Sequence, residues 1–162
     1  MKEDKKKSKK TALIAPLSFK KKLAVPPEAV FRAWTDPREI KKWFIAAKDW
    51  SISAVEVVLR KGGKYSVKMK SPKGEEEHLV GSYQEVKFPE RLQYTWEWKE
   101  KRVPKVADET MGETRVTVVF HDRQGHTEIE LEHGLFKNAK ARDSHEKGWE
   151  GFFRSLDKYF KR

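Results

Sequence analysis

Apolar and polar residues alternate through most of the middle of the chain. A period of two is typical of β-strands with one buried face, and glycine and proline divide the pattern into six segments. In the segment with the largest rings, Tyr94, Trp96 and Trp98 share one face, and in the first segment Val57 and Leu59 do the same. The alternation predicts six consecutive antiparallel strands that bury aromatic side chains on one face of a sheet.

Helical spacing of apolar residues is found on both sides of this block. After a first strand over residues 17–25, Phe31 and Trp34 lie on one face of a predicted short helix. Asp36 and Pro37 are residue types favoured at the N-cap and first position of a second helix. A long amphipathic helix is predicted at the end, with the apolar stripe His145, Gly148, Trp149, Phe152, Leu156, Tyr159 and Phe160. This order predicts an α+β fold whose long helix covers the aromatic face of the sheet.

Length and composition indicate one domain with a highly charged surface. A chain of 162 residues can bury a self-sufficient core. Hydrophobic residues make up 37% of it and charged residues 38%, while the six tryptophans argue against disorder. Residues 1–11 are lysine-rich and of low complexity, so we expect a disordered tail there and a single domain over residues 12–162.

The charge distribution argues against a nucleic-acid protein. Six of the first ten residues are lysines and two are acidic, a net charge of +4, which leaves +7 of the total +11 for the rest of the chain. There both signs alternate without a basic stripe, so nucleic acid is a less favoured partner. The absence of cysteine excludes disulfides and thiolate chemistry and agrees with a cytoplasmic location. We find neither a signal peptide nor a membrane span in the sequence.

Six short motifs, in order, resemble the family of activator of heat-shock protein 90 ATPase homologues, a branch of the START-like (SRPBCC) superfamily. They are residues 30–37 (Val-Phe-Arg-Ala-Trp-Thr-Asp-Pro), Trp43-Phe44, residues 62–65 (Gly-Gly-Lys-Tyr), residues 81–86 (Gly-Ser-Tyr-Gln-Glu-Val), Pro89-Glu90-Arg91-Leu92 with Thr95-Trp96, and residues 142–145 (Arg-Asp-Ser-His) with Gly148-Trp149. The resemblance spans about residues 17–162. It implies a helix-grip fold, in which a curved antiparallel sheet wraps around a long C-terminal helix and leaves a hydrophobic cavity between them.

The resemblance also suggests several functions. Members of the superfamily bind lipids, sterols and polyketides, so the first expectation is a non-catalytic protein that encloses a small apolar or amphipathic molecule. A chaperone or other protein partner is the alternative, although the co-chaperone's separate chaperone-binding domain has no counterpart in residues 1–11. A cyclase-like enzyme, nucleic-acid binding through the lysine-rich tail and a homodimer also stay open.

Inward-facing aromatic residues are the candidate ligand contacts, although each could simply fill the core. They are, with one methionine, Trp34, Trp43, Phe44, Tyr65, Met69, Tyr94, Trp96, Trp98, Phe120, Trp149 and Phe152.

Two histidines complete the candidate site. His133 is in phase with the inward residues of the last strand, and His145 begins the helical stripe. They would either orient a ligand or act as acid–base groups; alternatively, His133 is a buried histidine bonded to a carbonyl and His145 is half in solvent. We expect no catalytic residue, cofactor or metal, because the turn residues His121, Asp122 and His126 have no fourth ligand.

Overall fold

The computed structural model describes residues 14–99 and 112–161 of the chain. Seven strands and three helices follow one another there in the predicted order: β1 (Leu17–Leu23), α1 (Pro27–Thr35), α2 (Pro37–Trp43), β2 (Ser51–Val57), β3 (Lys64–Lys70), β4 (Glu76–Lys87), β5 (Arg91–Trp98), β6 (Thr114–Arg123), β7 (His126–Gly134) and α3 (Ala139–Phe160). The predicted tail, residues 1–11, lies outside the described residues.

All seven strands form one antiparallel sheet with the order β1-β7-β6-β5-β4-β3-β2. The first strand of the chain therefore pairs with the last, and Leu17 lies opposite His133. Helix α3 packs across the inner face: Phe153 contacts Phe19 of β1 at 5.5 Å between ring centroids, and Trp149 contacts Trp96 of β5 at 5.3 Å. The predicted α+β helix-grip fold is confirmed.

The two short helices begin as the sequence predicts. Pro27 is at the first turn of α1, where its missing N–H leaves no helical hydrogen bond unmade. The Asp36 side chain caps α2 by accepting a hydrogen bond from the Arg38 backbone N–H at 2.8 Å. Because the cap turns the chain sharply, Trp34 at the end of α1 and Trp43 at the end of α2 meet at 5.0 Å between ring centroids.

Three boundaries differ from the prediction. Strand β1 ends at Leu23 instead of residue 25, because its pairing with β7 stops where Leu23 lies opposite Thr127. Strand β2 ends at Val57, and the predicted inward residue Leu59 is 41% exposed, because the chain leaves the β-ladder for a tight turn in which Gly63 donates to the Arg60 carbonyl. Helix α3 begins at Ala139, one and a half turns before the stripe at His145, because the Asn138 side chain caps it by accepting from the Ala141 N–H at 2.8 Å.

Candidate functional site

A cavity of about 40 Å³ lies between the two short helices and the β2–β5 half of the sheet. Six of the predicted ligand contacts line it: Trp34, Trp43, Phe44, Tyr65, Tyr94 and Trp96. Five further residues complete the lining: Ile40, Val57, Val67, Leu79 and Tyr83. No charged residue belongs to this lining, so the wall is apolar apart from the tyrosine hydroxyls and indole nitrogens.

The cavity does not lie where the sequence predicts it, under the C-terminal helix. No residue of α3 lines it, because the aromatic rings of α3 fill the space next to the sheet. Phe152 stacks on Phe44 at 4.0 Å between ring centroids with only 9° between the planes, and Trp149 stacks on Trp34 at 6.3 Å. The volume is also well below the roughly 300–1,000 Å³ of ordinary small-molecule pockets. In this conformation the space admits water-sized molecules only.

Seven of the predicted ligand contacts do not line the cavity, and their contact with a ligand remains a prediction. They are Met69, Trp98, Phe120, His133, His145, Trp149 and Phe152. Phe120 packs edge-on against Trp34 at 5.7 Å between ring centroids. The inward aromatic residues thus divide into a cavity wall and a solid core behind it.

Three tyrosines form the polar part of the cavity wall. The rings of Tyr65, Tyr83 and Tyr94 lie 5.5–5.9 Å apart. The Tyr65 hydroxyl donates to the Thr95 carbonyl at 2.6 Å, and the Tyr94 hydroxyl accepts from the Trp34 indole N–H at 2.9 Å. Burial raises the pKa of all three phenols, and neighbouring tyrosines raise that of Tyr65 further. All three are therefore neutral O–H groups at physiological pH.

Gly81 makes room for the ring of Tyr65. A Cβ atom at Gly81 would lie 2.6 Å from Cε2 of Tyr65 and 2.0 Å from the Thr95 carbonyl oxygen. Only a glycine therefore lets this ring lie against β4 and reach Thr95. The same strand contributes Tyr83, which our sequence interpretation did not select as a contact. The sequence does contain a signal for Tyr83, because in β4 this residue alternates in phase with Leu79 and Gly81 and so lies on the same face of the strand.

The hydrogen bond between Trp34 and Tyr94 gives a direct test of this wall. We expect Tyr94→Phe to lower the free energy of unfolding by about 1–3 kcal/mol, because it leaves the buried Trp34 N–H without an acceptor. Tyr83→Phe is the matched control: this hydroxyl has no hydrogen-bond partner among residues 14–99 and 112–161, so we expect a change within about 0.5 kcal/mol. Urea unfolding followed by circular dichroism measures both, and equal losses in the two variants would contradict the assignment.

A network of histidines and tryptophans lies behind the cavity. Trp149 Nε1 donates to His133 Nδ1 at 3.0 Å. The Trp96 and Trp98 indoles both donate to His145 Nε2, at 3.1 and 3.0 Å. Because an indole N–H can only donate, the accepting ring nitrogens carry no proton. The indoles therefore fix the tautomer of each histidine.

The remaining ring nitrogens must then be the donors. His145 Nδ1–H donates to the Ala141 carbonyl at 2.8 Å, and His133 Nε2–H donates to the Thr114 hydroxyl at 2.8 Å. The Thr114 hydroxyl in turn donates to the Trp96 carbonyl at 3.0 Å. Burial lowers the pKa of His145 and lowers that of His133 much further, with His145 adding to the effect on His133. Both histidines are neutral at pH 7.

Both histidines make their hydrogen bonds to other residues of the protein. Each ring has both nitrogens occupied by partners in the protein, and neither ring lines the cavity. His145 is bonded to a carbonyl but is only 7% exposed rather than half in solvent, since α3 begins before it. His133 is fully buried and bonds a hydroxyl and an indole instead of a carbonyl. The two histidines link β6, β7 and α3 behind the cavity.

Comparison with known proteins identifies the family. Residues 24–161 match the family model described as activator of Hsp90 ATPase homolog 1-like protein. The chain belongs to this family. The predicted resemblance to this family is thereby confirmed. No curated protein shows significant similarity to the sequence.

Solved structures of similar proteins have the same fold. Protein NE0264 from Nitrosomonas europaea is 29% identical, with a TM-score of 0.73 over 91% of this chain and 94% of that chain. Protein CV1439 from Chromobacterium violaceum is 21% identical, with a TM-score of 0.78 over 91% and 98%. The activator-like protein from Aeromonas hydrophila is 23% identical, with a TM-score of 0.73 over 90% and 92%. The last two show a shared fold.

Two further findings bear on the candidate chemistry. In residues 14–99 and 112–161, no group of three or more histidine or carboxylate side chains is placed to hold a metal ion. His121, one of the turn residues considered above, instead bonds Glu130 at 2.9 Å. Over the same ranges, no helix is long and apolar enough to cross a membrane.

Proposed function

We propose that this activator-like protein binds a small apolar or amphipathic molecule in the cavity between its short helices and strands β2–β5. The observation that carries the proposal is the composition of the cavity wall. Aromatic and aliphatic side chains line it without any charged group, and the Tyr83 hydroxyl has no protein partner in the described part of the chain. An apolar wall with a few polar groups is typical of small-molecule sites.

Binding requires the cavity to widen, because about 40 Å³ is too small for an organic ring. Helix α2 forms one side of the cavity. It is only seven residues long, and it contributes Ile40 and Trp43 to the wall. Its C-cap residue Phe44 is held against α3 by ring stacking on Phe152, a contact that a ligand ring could replace. Each Å² of apolar ligand surface buried there would contribute about 25 cal/mol toward the cost of opening.

A titration with ethylbenzene, followed by the indole N–H signals in ¹H–¹⁵N NMR spectra, tests the proposal. We expect saturable shifts for Trp34, Trp43 and Trp96, which line the cavity, and none for Trp50, which lies outside the lining. Equal shifts at Trp34 and Trp50, or shifts that never saturate, would contradict a defined site.

Two leucine variants sharpen the ethylbenzene test. Leu79 lines the cavity, whereas the equally buried Leu92 does not. Each alanine replacement should cost about 2–5 kcal/mol of stability, but only Leu79→Ala adds its volume to the site. We therefore expect tighter ethylbenzene binding in Leu79→Ala and not in Leu92→Ala.

A protein-binding role is the second candidate, favoured by an apolar surface at the edge of the sheet. Val58 and Leu59 follow edge strand β2 and are 46% and 41% exposed. The family description names an activator of the Hsp90 ATPase, so the partner to test is a chaperone of that class. Stimulation of its ATPase rate by the purified protein would support this role, and an unchanged rate at saturating protein would oppose it.

A further inference from the structure

Two phenol hydroxyls in the cavity wall have hydrogen-bonding capacity that no residue in ranges 14–99 and 112–161 uses. A phenol can donate one hydrogen bond as well as accept. Tyr94 accepts from the Trp34 indole, which leaves its own O–H hydrogen to be donated. Tyr83 makes no hydrogen bond to any residue in the described ranges. Tyr65 differs from both, since its hydroxyl already donates to the Thr95 carbonyl.

The two residues that carry these donors line the same small space. Tyr83 and Tyr94 are cross-strand neighbours on β4 and β5, and their rings contact each other at 5.9 Å between centroids. Both line the cavity of about 40 Å³, which places them within reach of one ligand group. A carbonyl oxygen has two lone pairs and can accept from two donors at once.

The electrostatics of the cavity exclude a charged partner for these donors. The lining contains no lysine, arginine or histidine that could neutralise an anion. A buried carboxylate without a counter-charge is costly, whereas a neutral acceptor loses little once it is hydrogen-bonded. Desolvation keeps the pKa of both phenols raised, so they stay protonated and remain donors.

We infer that the cavity selects uncharged molecules that carry an acceptor oxygen, such as a ketone or aldehyde carbonyl, on an otherwise apolar body. The Tyr83 and Tyr94 hydroxyls donate to that oxygen, and Trp34 is a positioning residue that orients the Tyr94 hydroxyl. This inference rests on the proposed function and specifies the ligand class for the same site.

Acetophenone and ethylbenzene form the matched probe pair, because they differ in a carbonyl against a methylene at the same position. Affinities of both are measured by NMR titration for wild type and for Tyr83→Phe, a variant that removes no hydrogen bond of the described fold. We expect Tyr83→Phe to weaken acetophenone binding about tenfold and to change ethylbenzene binding less than about twofold. Comparing each ligand with itself across variants cancels the different hydration of the two probes.

The indole N–H signal of Trp34 gives an independent test of the same inference. A carbonyl bonded to Tyr94 polarises the Tyr94 hydroxyl, so acetophenone should move the Trp34 indole N–H signal further than ethylbenzene does. The difference should vanish in Tyr94→Phe, where urea unfolding first establishes that the variant is folded.

The outcomes separate this inference from the proposed function. Equal weakening of both probes in Tyr83→Phe would overturn the inference, since it would show an effect of shape alone, while the cavity would remain a binding site. Benzoate binding at pH 7.5 as tight as acetophenone binding would overturn the requirement for a neutral ligand. If neither neutral probe binds wild type, the proposed function fails, and the inference fails with it.

Discussion

Gly151→Ala is expected to lower the free energy of unfolding by about 2–3 kcal/mol. Gly151 lies inside α3, where alanine would ordinarily favour the helix. A Cβ atom at this position, however, would lie 1.9 Å from the carbonyl oxygen of Ala46, in the segment between α2 and β2. The clash involves backbone, so relief requires the helix or this whole segment to shift.

Gly148→Ala is the matched control for this result. Gly148 lies one turn earlier in the same helix, and a Cβ atom there would meet nothing within 4 Å. We expect this variant to be more stable than wild type by up to about 1 kcal/mol, the helix preference of alanine over glycine. Urea unfolding of the two variants and wild type gives the comparison. A Gly151→Ala protein as stable as Gly148→Ala would show that α3 does not pack tightly on the segment at Ala46.

Acidification from pH 7.5 to 5.0 is the second change with a large expected effect. The folded protein holds His133 neutral with its pKa well below the ordinary value, whereas the unfolded chain binds a proton there below about pH 6.5. The unfolded state therefore takes up more protons as the pH falls. The stability contributed by the neutral histidine is complete above about pH 6.5 and is lost progressively below it. We expect a loss of about 2 kcal/mol by pH 5.0 from His133 alone.

His145 contributes in the same direction, because burial lowers its pKa as well. Carboxylates with lowered pKa values, such as Asp36 and Glu130, lose their stabilising effect only when the pH falls through a lower range, near and below pH 4. The window from pH 7.5 to 5.0 therefore isolates the histidines. Within the described residues, no carboxylate is hydrogen-bonded to either ring, so nothing offsets the cost of protonation.

Urea unfolding at several pH values measures the effect. His133→Gln retains a donor and an acceptor but cannot be charged. The slope of its unfolding free energy against pH should therefore be smaller than that of wild type by the contribution of about one proton, or about 1.4 kcal/mol per pH unit. His126→Gln replaces an exposed histidine, and its stability at pH 7.5 should stay within about 0.5 kcal/mol of wild type. A His133→Gln protein with an unchanged pH dependence would contradict the assignment of a neutral, buried His133.

The fold was predictable because local patterns and side-chain burial agree along most of the chain. In β5 the alternation places Tyr94 and Trp96 inward, and both are buried. Leu59 was placed wrongly because the alternation continues past the end of the β-ladder, and only the hydrogen bonds of the turn show where pairing stops. The early start of α3 has a signal in the sequence, the capping side chain of Asn138, but the apolar stripe begins later.

The cavity was less predictable, because a volume of 40 Å³ depends on how large rings pack in three dimensions. Helical spacing identifies Trp34 and Trp149 as inward, but it cannot show that they stack on each other and close the space beneath α3. Nor can it show that the indoles of Trp96 and Trp149 satisfy histidines behind the cavity. Residue types and faces follow from sequence periodicity, whereas packing partners require the tertiary structure.

The pairing of β1 with β7 has a consequence for synthesis on the ribosome. Leu17 meets His133 only after 116 further residues have been made, so β1 emerges long before its partner strand β7. Until then its backbone N–H and C=O groups are exposed to other chains. Three consecutive lysines, Lys20, Lys21 and Lys22, give the unpaired strand a positive charge that repels the same strand of a second chain. The charged residues of β1 thus protect the nascent chain from self-association as well as marking the edge of the finished sheet.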